Sequence, residues 1–149
     1  MPVDKLRQYL DAEGVKYVLI IHSRAYTAQE IAESAHVSGK ALAKTVIVKV
    51  DGKMAMAVVP APEKAPLGRI REVVGARKVE IATEDEFRSV FPDCELGAMP
   101  PFGNLYGLEV YVAESLSTDR EIAFNAGSFV ELVRLAYKDF ERLVRPKVV

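Results

Sequence analysis

Two apolar runs on either side of a short turn make up residues 45–59, TVIVKVDGKMAMAVV. The dipeptide Asp51-Gly52 tolerates positive φ angles at both positions, as a tight type I′ turn requires. We therefore expect antiparallel strands over residues 45–50 and 53–59. This hairpin excludes a purely parallel sheet.

Short helices and further strands are expected on both sides of the hairpin. Leu6 and Leu10 lie four residues apart and predict an opening helix that Gly14 terminates. The capping-box spacing of threonine and glutamate predicts that helices begin after Thr27 and after Thr83. Further strands are expected over residues 15–21, 79–82, 108–112 and 121–124, and further helices over residues 67–74 and 139–144. Residues 129–135 fit a strand and a helix equally well.

The predicted strands outnumber the predicted helices, and they combine a hairpin with crossovers through short helices. This mixture is typical of an α/β protein of the α+β type, with one mixed, largely antiparallel sheet and short helices packed on it. The 149 residues are 50% hydrophobic and 28% charged, which suits a single domain over residues 1–149 with a substantial core.

Composition restricts the possible partners. A formal net charge of −1 gives no general attraction for nucleic acid, so we expect no DNA partner, and any RNA contact needs a local basic patch. The densest basic region holds Arg69, Arg71, Arg77 and Lys78, and a solvated helix face is the favoured explanation for it. The single cysteine, Cys94, allows no internal disulfide and has no zinc-site spacing, which suits a reducing cytoplasm. We find no signal peptide and no apolar span of ~20 residues, so we expect a cytoplasmic protein without a membrane partner.

Lys44 is the leading candidate for a functional charge. It precedes an apolar strand, so its stem can lie against apolar surface while its ammonium group projects into a cleft. An ammonium group in that position can stabilise a phosphate or a developing oxyanion. The alternative is an exposed lysine at the end of a strand. His22 follows another strand, and both an orienting role and an acid/base role remain open for it.

Two segments rich in small residues are candidate binding loops. Residues 97–103, GAMPPFG, offer several backbone amides, and two prolines restrict their movement; such amides can hold a carbonyl oxygen. A loop that merely crosses beneath the sheet edge is the alternative. Residues 125–128, NAGS, end a strand with small residues that permit close approach of a ligand. We find no grouping of serine, histidine and aspartate, and Cys94 has no evident activating partner, so a covalent nucleophile is not expected.

Taken in order, these features resemble the YbaK/ProX-type aminoacyl-tRNA deacylase family, and the resemblance covers roughly residues 3 to 145. Gly97 and Pro101 match the family's glycine-x-x-x-proline loop, and Phe102 continues the pattern. Lys44 matches the family's essential lysine. The other residues that carry the resemblance are His22, the flanking Ala43 and Thr45, the Asp51-Gly52 hairpin, Gly103 and the run Ala126-Gly127-Ser128.

The resemblance implies a partly barrel-like sheet of the prolyl-tRNA synthetase editing-domain type. It implies hydrolysis, in trans, of the ester in mischarged tRNA, as a step of translation quality control that uses no metal and no organic cofactor. The implied partners are the acceptor end of aminoacyl-tRNA and an aminoacyl-tRNA synthetase. Lys44 would be catalytic, and Tyr26 or Phe102 would stack on the terminal adenine. The implied substrate-binding residues are His22, Tyr26, Thr45, Gly97, Ala98, Met99, Pro101, Phe102, Gly103, Asn125, Gly127 and Ser128.

The sequence departs from the family pattern at positions that set substrate choice. Members that clear cysteine carry tyrosine and aspartate where this chain has Ile20 and Leu132, and members that clear alanine often carry histidine where it has Ser128. Neither specificity is therefore transferred. An apolar pocket involving Ile20, Met99 and Leu132 suits a small uncharged amino acid. Two other functions remain open: a catalytically silent module that binds tRNA or a synthetase, and a small-molecule binding protein.

Overall fold

The computed structural model describes residues 3–24 and 27–149. Its α-helices are α1 (Val3–Ala12), α2 (Ala28–Ser34), α3 (Leu67–Val74), α4 (Glu84–Phe87), α5 (Glu114–Ser117) and α6 (Tyr137–Val144). Its strands are β1 (Tyr17–Ile21), β2 (Leu42–Val50), β3 (Lys53–Pro60), β4 (Val79–Ile81), β5 (Val110–Val112), β6 (Glu121–Asn125), β7 (Glu131–Ala136) and β8 (Lys147–Val148). No helix within the described ranges is long and apolar enough to cross a membrane.

The hairpin that the sequence predicts is confirmed. Strands β2 and β3 pair antiparallel from Ala43 opposite Pro60 to Val50 opposite Lys53. The turn residues Asp51 and Gly52 have φ angles of 49° and 83°, so both adopt the left-handed conformation of a type I′ turn.

The described strands form one mixed sheet in the order β1-β7-β6-β2-β3-β5-β8, with β4 paired to β2 as a branch. The ladders β1/β7, β6/β7, β2/β3 and β2/β4 are antiparallel, whereas β2/β6, β3/β5 and β5/β8 are parallel. The expectation of a mixed, largely antiparallel sheet is therefore confirmed. The ambiguous segment forms β7, because its backbone pairs with a strand on each side.

One edge of β2 is shared by two different strands. Strand β6 pairs with β2 only at Leu42 and Ala43, and β4 pairs with it only from Val48 to Val50. Residues 44–47 therefore lie between the two ladders, at a place where the neighbouring strands diverge. Lys44 is the first residue of this divergence.

Helices cover both faces of the sheet. On one face the strands contribute the main core, which includes Ile47, Phe124 and Val133 and packs against residues of α1 and α6. On the other face, one cluster contains Leu42, Ala123 and Leu132 with residues of α2, and another contains Val48, Ala57 and Tyr111 with residues of α3. The alternation of side chains along each strand assigns these residues to opposite faces.

The helix boundaries follow the signals in the sequence. Thr27 and Thr83 each form a complete capping box, and Gly75, with a φ angle of 72°, ends α3. Helix α6 ends at Val144, two residues before Pro146, as expected. The strand expected over residues 108–112 is shorter, because the Leu108 amide donates to the Gly103 carbonyl instead of joining the sheet.

Candidate functional site

Lys44 occupies an unusual environment for a lysine. Of the 20 lysine and arginine residues, only Lys44, Lys49 and Arg134 are half-buried, and the rest are exposed. Lys49 forms ion pairs with Glu80 and Glu86, with N–O distances of 3.1 and 2.5 Å. Arg134 donates to the Ala35 carbonyl at 2.8 Å and lies 3.5 Å from Glu121.

Lys44, by contrast, forms no ion pair and no side-chain hydrogen bond with any described residue. Its neighbours in sequence, Ala43 and Thr45, are buried. A partly desolvated ammonium group that lacks a counter-charge within the protein is stabilised when a bound anion or a polarised carbonyl oxygen lies next to it.

Lys44 belongs to a row of side chains that crosses four strands on one face of the sheet. Ile20 of β1 is paired with Leu132 of β7, and Leu132 is paired with Asn125 of β6. Ala43 of β2 is paired with Phe124 of β6, so the next positions along these parallel strands are Lys44 and Asn125. Ala43 and Phe124 are the last paired residues of these two strands, so Lys44 and Asn125 face each other where the strands begin to separate.

The two candidate loops, residues 97–103 and 125–128, contact each other where β6 ends at Asn125. The Gly127 amide donates to the Ala98 carbonyl and the Glu95 amide donates to the Gly127 carbonyl, each at 2.8 Å. Gly97 has a φ angle of 91°, and a Cβ atom there would lie 3.1 Å from the ring of Phe129. Backbone hydrogen bonds and a close side-chain contact therefore fix the loop at residues 97–103 against the turn between β6 and β7.

Glu95 links a third segment to these loops. Its carboxylate accepts hydrogen bonds from the Arg24 guanidinium and, at 2.8 Å, from the Phe129 amide. These two donors, the guanidinium foremost, lower the pKa of Glu95 below its ordinary value. Arg24 follows β1, so Glu95 joins the connection after β1 to the loop that contains Gly97. The sequence reasoning did not identify Glu95, because a lone glutamate in a loop has no distinguishing pattern.

A buried serine–glutamate pair supports the same turn. The Ser128 hydroxyl donates to the Glu131 carboxylate at 2.9 Å, and both residues are more than 90% buried. The Ala126 amide also donates to the Glu131 carbonyl. Glu131 therefore holds the Ala126–Ser128 segment in place, and the sequence reasoning did not identify this residue either.

A cavity of about 780 Å³ opens on the same face of the sheet as Lys44. Leu42, two residues before Lys44, contributes to its wall, together with Ala32 of α2 and with Ala61 and Pro62 after β3. The polar residues around it are Gln29, Glu33, Ser38 and Lys40. A largely apolar concave surface with a few polar groups is typical of a small-ligand pocket.

Several residues that were expected at the site lie elsewhere. Thr45 alternates with Lys44 along β2, so its side chain faces the opposite side of the sheet and is buried there. Met99 packs into the main core, so it does not share a pocket with Ile20 and Leu132. Phe102 is fully buried against Phe124 and other aromatic rings, so it has no free face for an adenine.

The remaining loop residues have structural contacts. The Ala98 amide donates to the Glu95 carbonyl, so it is already engaged within the loop. Pro101 and Gly103 are buried, and a Cβ atom on Gly103 would lie 2.6 Å from Val110. Tyr26, the other residue expected to stack on adenine, lies outside the described residues.

His22 lies on the Lys44 face, in the position that follows Ile21 of β1. Its amide donates to the Val130 carbonyl, and its Nδ1 atom lies 2.9 Å from the Ser23 carbonyl oxygen. Cys94 is half-buried near the Tyr106 hydroxyl, and burial raises the pKa of its thiol, which disfavours the thiolate. Within residues 3–24 and 27–149, no three histidine, cysteine, aspartate or glutamate side chains converge as metal ligands would.

The basic region around α3 is a solvated surface. Arg69 pairs with Glu72 and Lys78 pairs with Glu80, while Arg71 and Arg77 are exposed. These basic side chains are exposed to water, and two of them also pair with nearby glutamates, as is usual on an exposed helix surface.

The chain is similar to known proteins over nearly its whole length. A family model described as an aminoacyl-tRNA editing domain matches residues 22–143. The multifunctional Ser/Thr-tRNA deacylase ProXp-y of Escherichia coli (strain K12) is 29% identical over 97% of this chain and 89% of its own length. A proline–tRNA ligase of Bacillus cytotoxicus is 29% identical over 55% of this chain, which corresponds to only 14% of the ligase.

Solved structures share the fold. A protein described as a trans-editing enzyme for prolyl tRNA synthetase superposes with a TM-score of 0.83 over 99% of this chain and 94% of its own. Its sequence identity to this chain is 22%. This match extends the similarity in fold beyond the residues that the family model covers.

Proposed function

The chain belongs to the aminoacyl-tRNA editing domain family, and from that premise we propose that it hydrolyses, in trans, the ester that joins a wrong amino acid to the terminal adenosine of tRNA. The deacylase relative supports this activity, because the similarity spans almost all of both chains. Such hydrolysis is needed because apolar pockets separate amino acids that differ by one methylene by only ~1–3 kcal/mol, so errors require a second site.

Lys44 carries the proposal. It is a half-buried cation without an internal counter-charge, on the face of the sheet that also bears the cavity. We assign its ammonium group to the carbonyl oxygen of the ester, where negative charge develops as water attacks. A fixed charge at that position favours the transition state more than the ground state, which is the condition for accelerating the reaction.

The reaction needs few other groups. Water adds to the carbonyl carbon, the bond from that carbon to the ribose oxygen breaks, and the departing ribose oxygen takes a proton. The neighbouring ribose hydroxyl of the substrate can relay this proton, so the protein need not provide a base. The loops at residues 97–103 and 126–128 position the ester, and their mutual backbone hydrogen bonds preorganise them for this role.

The proposed substrate is an aminoacyl-tRNA with a small side chain. Serine and threonine are the first amino acids to examine, since the relative from Escherichia coli is named a Ser/Thr-tRNA deacylase. The acceptor end of the tRNA is the proposed partner. A transient complex with a synthetase fits the similarity to a proline–tRNA ligase.

Single-turnover deacylation of one tRNA, charged in turn with serine, threonine, alanine and cysteine, tests the proposal. We expect hydrolysis of at least one ester and a ~10²- to 10³-fold lower rate for Lys44→Ala. Lys53→Ala is the matched control, because Lys53 lies on the same hairpin and is exposed. Binding of tRNA without lysine-dependent hydrolysis would instead identify a catalytically silent binding module.

A further inference from the structure

Asn125 is a polar residue whose side chain has no hydrogen-bond partner among the described residues. It is the last residue of β6 and is half-buried. An amide offers both a donor and an acceptor. The side-chain amide of Asn125 is not among the buried unpaired polar groups of the described residues, so it is accessible to a ligand.

The surroundings of Asn125 indicate which part of a ligand it meets. On one side of the row lies Lys44, and on the other lies Leu132, which is fully buried. The row therefore runs from an ammonium group through an amide to an apolar side chain. Asn125 and Leu132 are paired across one strand spacing of ~4.8 Å, and Lys44 lies across the opening from Asn125.

An ester held by its carbonyl oxygen at Lys44 would project the side chain of its amino acid along this row. The hydroxyl of serine or threonine lies only a few bonds from the carbonyl carbon, so it would reach the position of the Asn125 amide. Alanine and valine fit the same space but leave the amide without a partner.

We infer that Asn125 is a specificity-determining residue that hydrogen-bonds the side-chain hydroxyl of serine or threonine on the tRNA ester. The inference rests on the proposed function and adds a residue-level basis for the choice of amino acid. A site that hydrogen-bonds a substrate hydroxyl discriminates strongly against analogues that lack it, because its own polar group is then left unpaired. An entirely apolar pocket does not discriminate in this way.

The test uses one tRNA charged in turn with serine, threonine, alanine and valine, with kcat/KM measured for each ester. Wild type is compared with Asn125→Leu, which keeps the number and branching of the side-chain heavy atoms and removes the hydrogen-bonding atoms. Asn125→Ala provides a second variant in case the first does not fold. Asn104→Leu is the control, because Asn104 is exposed and bonds Tyr9 on a different part of the surface.

We expect Asn125→Leu to lower kcat/KM for the seryl and threonyl esters by about 10- to 100-fold, and to change the alanyl and valyl values by less than about threefold. An equal loss on all four esters would assign Asn125 to the shared ribose or ester group and overturn the inference, as would no loss at all. Either result leaves the proposed function intact. Wild-type protein that hydrolyses none of the esters would refute both.

Discussion

Lys44 and Asn125 occupy adjacent positions in two parallel strands, each one residue beyond the last paired residues, Ala43 and Phe124. The strands diverge at this point, because the same edge of β2 is next taken by β4, which pairs with it from Val48 to Val50. The half-buried side chains of Lys44 and Asn125 thus lie on one face of the sheet, where β2 and β6 separate.

The first prediction separates the functional lysine from a structural one. Lys44→Met removes a charge that has no internal partner, so we expect an unchanged or higher free energy of unfolding together with a ~10²- to 10³-fold loss of deacylation. Lys49→Met removes the ion pairs with Glu80 and Glu86, so we expect lower stability and unchanged deacylation. Urea denaturation and single-turnover rates on both variants provide the measurements. A loss of stability without a loss of rate in the Lys44 variant would contradict its assignment.

The second prediction concerns the buried pair beneath the site. Ser128→Ala leaves the Glu131 carboxylate buried without its hydroxyl donor, so we expect a loss of about 1–3 kcal/mol in the free energy of unfolding. The matched control is Ser115→Ala, since Ser115 also donates to a glutamate, Glu63, but at the exposed surface. Its expected cost is close to zero.

A double-mutant cycle completes this second test. Ser128→Ala and Glu131→Met remove the same interaction from its two ends, so their combined effect should be smaller than the sum of the single effects. Strict additivity of the two changes, measured by urea denaturation, would show that the hydrogen bond contributes nothing to the fold.

Local signals made the hairpin and the helix starts predictable. Asp51-Gly52 and the two threonine capping boxes work through neighbours within a few residues, and all three adopt the expected geometry. Lys44 could also be singled out, because a charge at the start of an apolar strand is visible in the sequence. Its row partners were not predictable, since the register between β2 and β6 joins residues about 80 positions apart and depends on the whole sheet.

The same limit explains why the structure separates some of the expected site residues and why other residues were missed. Thr45 adjoins Lys44 in sequence, yet the alternation of a strand directs it to the other face. Phe102 belongs to a loop that is buried rather than open, so its ring packs in the core. Ser128 and Glu131 repeat the serine-x-x-glutamate spacing of a capping box, but at the start of a strand, so this local signal could have revealed Glu131.

The third prediction concerns acid. Hydrogen bonds from Lys49 and from the Thr83 amide lower the pKa of Glu86 to about 2. A carboxylate whose pKa is lowered by folding stabilises the protein above its unfolded-state pKa of about 4.3, and this contribution disappears as the pH falls toward 2. We therefore expect Glu86→Gln to be less stable than wild type at pH 7 and to approach it at pH 3, as measured by urea denaturation. Glu84→Gln, an exposed change in the same helix, should follow wild type at both values.

The fourth prediction uses two glycines that have similar backbones and different surroundings. Gly97 and Gly107 have φ angles of 91° and 70°, so alanine at either position costs about 1–2 kcal/mol in backbone strain. A Cβ atom on Gly107 meets nothing within 4 Å, whereas one on Gly97 lies 3.1 Å from the Phe129 ring. We expect both alanine variants to lose stability in urea, but only Gly97→Ala to lose deacylation activity.

The added loss in Gly97→Ala follows from what Phe129 holds in place. Its amide donates to the Glu95 carboxylate, and the Glu95 amide donates to the Gly127 carbonyl, so pushing the ring away disturbs both loops. Removing the ring by Phe129→Ala in the Gly97→Ala background should therefore restore part of the deacylation rate. The free energy of unfolding should stay low, because the backbone strain at residue 97 remains. Equal rates for the two glycine variants would mean that the loop at residues 97–103 does not position the substrate.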